Sequence, residues 1–193
     1  MNLKHHVKWF DEIRGQFEYG GKKYAHSTEK ESTDCLFDDF GKNWLFGTLA
    51  KYCKRYSNVA REKDLLKIAC YCFILWLKRG FHLGIEGTKE SINTTVEIKS
   101  RYFEKFSQRV FNFMGDYDTS ELNDKKAIKL IYDRLAYFGG IKFNIINEEN
   151  LFDIFTLCYF VWENYVPDTK KGGDQDIYNE TGGKKKEEDN GKR

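Results

Sequence analysis

A chain of 193 residues holds one domain, or one domain and a tail, at the usual ~100–200 residues per domain. Its 40% apolar and 17% aromatic content excludes a wholly disordered protein, which would lack the Phe, Tyr and Trp that fill a core. Lys and Arg total 32 against 30 Asp and Glu, a balance of +2 that excludes a strongly acidic protein and one that coats nucleic acid with its whole surface.

The first residues, Met1 to His6, lack the apolar stretch of a signal peptide, and the acids that soon follow are unlike an Arg-rich transit sequence. Residues 15–26 read GQFEYGGKKYAH, a Gly20-Gly21 pair between aromatic arms. Glycine supplies the positive φ that tight two-residue loops need, so this stretch is expected to form a small β-hairpin leaning on the rest of the fold, or else a sharply bent loop.

From Asp34 the period becomes helical. Phe37, Phe40, Trp44, Leu45, Leu49, Tyr52, Cys53 and Tyr56 recur at three and four, opposite Lys42, Lys51, Lys54 and Arg55, and Ser57-Asn58 is the expected stop. A second helix over 61–79 opens with Glu62 and Asp64 and closes with Lys78, Arg79 and Gly80, the order the helix dipole favours. It is apolar nearly all round from Leu65 to Leu77, which predicts the central, buried element. Its wholly apolar run, Ile68 to Leu77, covers only about 15 Å as helix against a ~30 Å hydrocarbon core, so no membrane span is expected.

Gly80, Gly84 and Gly87 interrupt the pattern. A third helix follows from Thr88 or Ser91 to Gly115, and a fourth over 127–138 after the polar start Ser120 to Asp124. Residues 141–146 (IKFNII) read as a short extended link. Asn147 caps a fifth helix that ends before the one proline, Pro167. The expected architecture is therefore all-α: about five helices in a compact bundle over residues 34–166, an N-terminal extension with the hairpin over 1–33, and a disordered charged tail over 167–193.

The five cysteines, Cys35, Cys53, Cys70, Cys72 and Cys158, are odd in number and sit mostly in apolar runs, which points to free thiols and an intracellular, reducing compartment, the cytoplasm first. Cys70 and Cys72 point about 200° apart on a helix, so one metal ion does not take both. The four histidines are scattered, and the chain has no phosphate-binding P-loop, no G-x-S-x-G and no G-x-G-x-x-G.

One region has a recognisable skeleton. Gly47, then Lys51-Tyr52 and Arg55, a short basic linker, then Asp64-Leu65, Lys67 and Tyr71 resembles MazG-like all-α proteins of phages and bacteria, in particular a phage domain with a G-x-x-x-KY-x-x-R…DL-x-K pattern. Upstream, Tyr19-Gly-Gly-Lys-Lys-Tyr24 is similar to the Y-G-x-K-K-Y of the dATP/dGTP diphosphohydrolase-type group. The resemblance implies nucleoside triphosphate pyrophosphohydrolysis, with Mg²⁺ held by carboxylates on facing helices because a hard cation bridging phosphates takes oxygen ligands. The acids in reach are Asp39, Glu62 and Asp64, and the phosphate-binding cations Lys51, Arg55 and Lys67.

The acids of the two helices depart from that pattern. Neither an E-E-x-x-E nor an E-x-x-D lies within them; Glu31 with Asp34 and Glu121 with Asp124 have the second spacing, but both fall at helix starts. Asp64 with Lys67 reads equally as an i,i+3 surface pair, and Lys51 with Arg55 as a solvated stripe. The function expected is accordingly a non-catalytic helical binding or assembly module with a protein partner or self-association, the alternative being the Mg²⁺-dependent hydrolase. A nucleotide or nucleic-acid ligand is the further possibility offered by Lys51, Tyr52, Lys54, Arg55 and Tyr56, although both tyrosines fall on the apolar face.

Overall fold

The computed structural model describes residues 3–24, 32–81, 96–139 and 146–167. These residues form six helical elements and no strand: α1 (Leu3–Tyr24), α2 (Ser32–Val59), α3 (Glu62–Lys78), α4 (Val96–Gly115), α5 (Asp124–Gly139) and α6 (Glu148–Tyr165). No helix among them is long and apolar enough to cross a membrane. The C-terminal tail, the 141–145 link and the segment with Gly84 and Gly87 lie outside the described residues.

Residues 15–24 of the expected hairpin are instead the second half of α1, and residues 25–26 lie outside the described residues. Trp9, Phe10, Ile13 and Phe17 recur at helical spacing, and each is buried. Gly15 and Gly20 hold ordinary negative φ with open space around a would-be Cβ, so their conformational freedom is not used. Burial of the aromatic stripe outweighs the ~1 kcal/mol per glycine that the helix forfeits.

The remaining helices follow the sequence pattern over the described residues; the expected start of the third at Thr88 or Ser91 lies outside them. Within α2, Gly41 adopts φ 62° and ψ −155°, a conformation suited to glycine, and divides the element into two helical segments. Asn123 caps α5 by accepting from the Lys126 amide at 2.9 Å. Asn147 and Asn150 cap α6 reciprocally, each side chain taking the other's backbone N–H at 2.9–3.0 Å.

Helix α3 is the central element, packed by α1, α2, α4 and α6, while α5 closes the α2–α6 side. Its side chains are buried from Asp64 to Lys78 except at Lys67 and Tyr71. Around it lies an aromatic core: Phe73 meets Phe103 and Phe106 at 5.0–5.1 Å, and Phe106 meets Phe155 at 5.3 Å. Cys53, Cys70, Cys72 and Cys158 are buried free thiols, and burial raises those of Cys53, Cys72 and Cys158, Cys53 to about 12. They behave as small apolar side chains, as their setting in apolar runs suggests.

His6 ties α1 to α4 and α6. It is 4% exposed, packs edge-on against Phe10, Phe111 and Tyr159, and its Nε2 lies 3.4 Å from Met114 Sδ. Burial lowers its pKa to about 4, with Glu163 opposing. In the unfolded chain the ring takes a proton near pH 6.5, so this contribution to stability is complete above that pH and is lost as pH falls from 6.5 to about 4. The loss expected is on the order of 2–3 kcal/mol. Urea midpoints measured across pH 4–7 check it: the wild type should weaken steadily on acidification, and His6→Leu should flatten that dependence. A parallel decline in both would assign the acid sensitivity to other groups.

Candidate functional site

The α2–α3 hairpin builds the site. Two residues, Ala60 and Arg61, join the helices, and Ala60 holds φ 49° while its amide reaches back to the Tyr56 carbonyl at 2.7 Å. So short a link forces the helices antiparallel. Arg55 is thereby set opposite Asp64, and one turn further from the link Tyr52 is set opposite Lys67.

Asp64 is entirely buried, and Arg55 grips both its oxygens: Nε donates to Oδ1 and Oδ2 at 2.9 and 2.7 Å, and Nη2 donates to Oδ1 as well. This replaces the expected surface pairing of Asp64 with Lys67, because Asp64 faces α2 rather than solvent. The hydrogen bonds that Arg55 donates to Asp64 raise its already high pKa, keeping the guanidinium charged.

Tyr52 is the hub of the cations. The Lys51 and Lys67 ammonium groups lie 5.0 and 5.2 Å from its ring centroid, and the Arg55 guanidinium 5.2 Å. The hairpin thus brings together Lys51, Arg55 and Lys67, as the sequence pattern anticipates. Burial pushes Lys67 below the ordinary lysine range; Arg55 and Lys51 push it the same way, and Asp64 opposes them. Tyr52 and Tyr56 are themselves core residues, 9% and 6% exposed, so neither offers an open ring to a ligand.

The acids do not gather in the same way. Asp39 is exposed, two residues before the Gly41 kink. Glu62 opens α3 and accepts from the Trp162 indole N–H at 2.7 Å; burial raises its pKa while that hydrogen bond opposes the shift. Asp64 is held by Arg55. Among the described residues no three His, Cys, Asp or Glu side chains are arranged to hold a metal ion, and this set does not fit a phosphate-bridging Mg²⁺. Of the other carboxylates weighed from the sequence, Glu121 pairs with Lys126 at 3.7 Å; on α6, Asp153 pairs with Arg134 and the Tyr117 hydroxyl. Glu31 lies outside the described residues.

An open groove of about 450 Å³ runs beside this hub along one face of α2. Its lining recurs at three and four: Gly47, Ala50, Lys51, Lys54, Arg55, Asn58 and Val59, with Tyr132 of α5 on the opposite wall. The chain matches no protein-family model, no curated protein and no solved structure. What the groove does must therefore be argued from its chemistry. Gly47 leaves open space where a Cβ would stand, Lys51 and Lys54 are exposed, and neither is ion-paired among the described residues.

Tyr132 is the member that sequence reasoning passed over. A signal existed: Ala127, Ile128, Ile131, Leu135 and Phe138 form the buried stripe of α5, and Tyr132 falls one position off it. It is 46% exposed, beside an α2 face whose cations were already legible.

Proposed function

We propose that this chain is a non-catalytic helical binding module whose working surface is the cationic groove along α2. The observation that carries the reading is the complete burial of Asp64 in a bidentate grip by Arg55, beside the exposed Lys51 and Lys54. A carboxylate so held serves to fix the hairpin, and a charge already matched by a guanidinium is a poor ligand for a hard cation. Lys51 and Lys54, by contrast, are exposed and paired with no carboxylate among the described residues, which suits reversible capture of an anion.

Incubation with each nucleoside triphosphate and Mg²⁺, followed by chromatography of the products, tests the reading. The expected result is intact triphosphate after prolonged incubation. Release of pyrophosphate that disappears in Asp64→Asn would overturn the proposal in favour of the Mg²⁺-dependent pyrophosphohydrolase that the MazG-like resemblance implies. The asparagine keeps the shape of the side chain while removing the charge a metal would need.

A further inference from the structure

We infer that the ligand of the α2 groove is a single-stranded nucleic acid, its phosphates met by Lys51 and Lys54 of the lining and, beyond the Tyr52 ring, by Lys67 of α3, with a base stacked on Tyr132. The inference rests on the reading of the groove as the binding surface and adds the class of its occupant. Three features of the groove select that class.

The first is shape. Gly47 and Val59 mark the two ends of the lining, about 18 Å apart at 1.5 Å per helical residue, and the groove is open along its length. Small-molecule sites enclose most of their ligand, and this surface encloses little. A chain laid along it is a better fit: at ~3.4 Å per stacked nucleotide, ~18 Å spans about five.

The second is charge. Lysine is depleted in protein–protein interfaces, yet Lys51 and Lys54 stand in the middle of this lining with Arg55 between them and α3. Lys67 shares the Tyr52 ring with Lys51 and Arg55, so three cations are held together beside Asp64, whose oxygens Arg55 grips. Phosphates of a polyanion arriving here relieve that repulsion and release counterions.

The third is the aromatic wall. Tyr132 is exposed, in contrast to the buried Tyr52, and a base is the flat group that a phosphate polymer brings to such a ring. Gly47 and Ala50 leave room beside it for the stacked base or the sugar. A duplex keeps its bases stacked on one another and has none to offer to Tyr132.

Fluorescence anisotropy with a short fluorescein-labelled oligo(U), and separately with oligo(dT), tests the inference on the full chain. Saturable binding is expected with a dissociation constant on the order of 10⁻⁴–10⁻⁶ M, and with a log–log salt slope near −2 for about three phosphates neutralised. A hybridised duplex of the same length should bind more weakly, and whichever labelled strand binds more tightly names RNA or DNA as the source. Lys54→Ala should bring the slope about 0.7 closer to zero, and Tyr132→Ala should weaken binding roughly five-fold or more. Gly47→Leu should abolish binding while leaving the melting temperature unchanged or raised, because its side chain grows into open space and leucine favours helix.

Absence of any anisotropy change at low salt overturns the inference, as does binding that Gly47→Leu and Tyr132→Ala leave intact. Displacement of the oligonucleotide by polyglutamate at equal charge also overturns it, in favour of an acidic polypeptide. In that case the groove remains the binding surface, and only Mg²⁺-dependent release of pyrophosphate removes the non-catalytic reading.

Discussion

Replacing Arg55 with alanine should destabilise the protein by about 3–5 kcal/mol, since the charge left behind, Asp64, is wholly buried. The reverse change should cost less. Arg55 is 36% exposed, so in Asp64→Ala its guanidinium turns to water, with a loss of about 1–3 kcal/mol. Arg55→Lys should recover only part of the stability, because an ammonium cannot make the forked contact with both carboxylate oxygens. In the double variant Arg55→Met/Asp64→Leu no charge is stranded, and its stability should approach that of the wild type. Urea denaturation of the four variants reads the pattern. If Arg55→Ala proves as stable as the wild type, or if millimolar Mg²⁺ alone restores it, Asp64 is not the fixed anchor of the hairpin.

That anchor shows why the site was half legible in the sequence. Periodicity puts Lys51, Lys54 and Arg55 on one face of α2, and the short Ala60-Arg61 link folds α3 back against it, so the meeting of Lys51 and Arg55 with Lys67 follows from local pattern. Asp64 reads as an ordinary acid of a first helical turn. Its burial depends on α3 being covered on nearly every side, a property of the assembled bundle that no spacing within one helix encodes.

Helix α1 illustrates the same limit from the other direction. Trp9, Phe10, Ile13 and Phe17 already have helical spacing, but the Gly20-Gly21 pair and the nearby aromatics point locally to a turn. Glycine permits a turn without requiring one. The outcome is decided by where the aromatics are buried: Phe17 lies 5.2 Å from Phe103 and 5.8 Å from Phe73, contacts with α4 and α3 that lie far away in sequence. Where the glycine pattern is tied to real backbone geometry, at Gly41 and Gly80, φ is positive and the helix breaks or ends.

Trp76→Ala should leave little folded protein. The indole is entirely buried on α3, stacks with Phe73 at 6.2 Å and meets Phe106 edge-on at 5.4 Å. Truncation of so large a core side chain costs about 3–5 kcal/mol through lost contacts and the cavity left behind. Its N–H also reaches across to α6, donating to Glu148 Oε1 at 2.6 Å, while Arg109 of α4 holds the other oxygen of the same carboxylate. One side chain therefore joins α3, α4 and the start of α6, and the loss falls on three helices together. Against a total stability of ~5–15 kcal/mol, such a loss is enough to shift much of the population to the unfolded state. Trp76→Phe separates the two contributions: it keeps most of the ring packing and gives up the hydrogen bond, so it should cost only about 1–2 kcal/mol and leave soluble protein. Because the α2 groove lies away from this contact, Trp76→Phe should bind an oligonucleotide as the wild type does. A Trp76→Ala variant with unchanged melting temperature and soluble yield would mean that α3 is not the centre of the core.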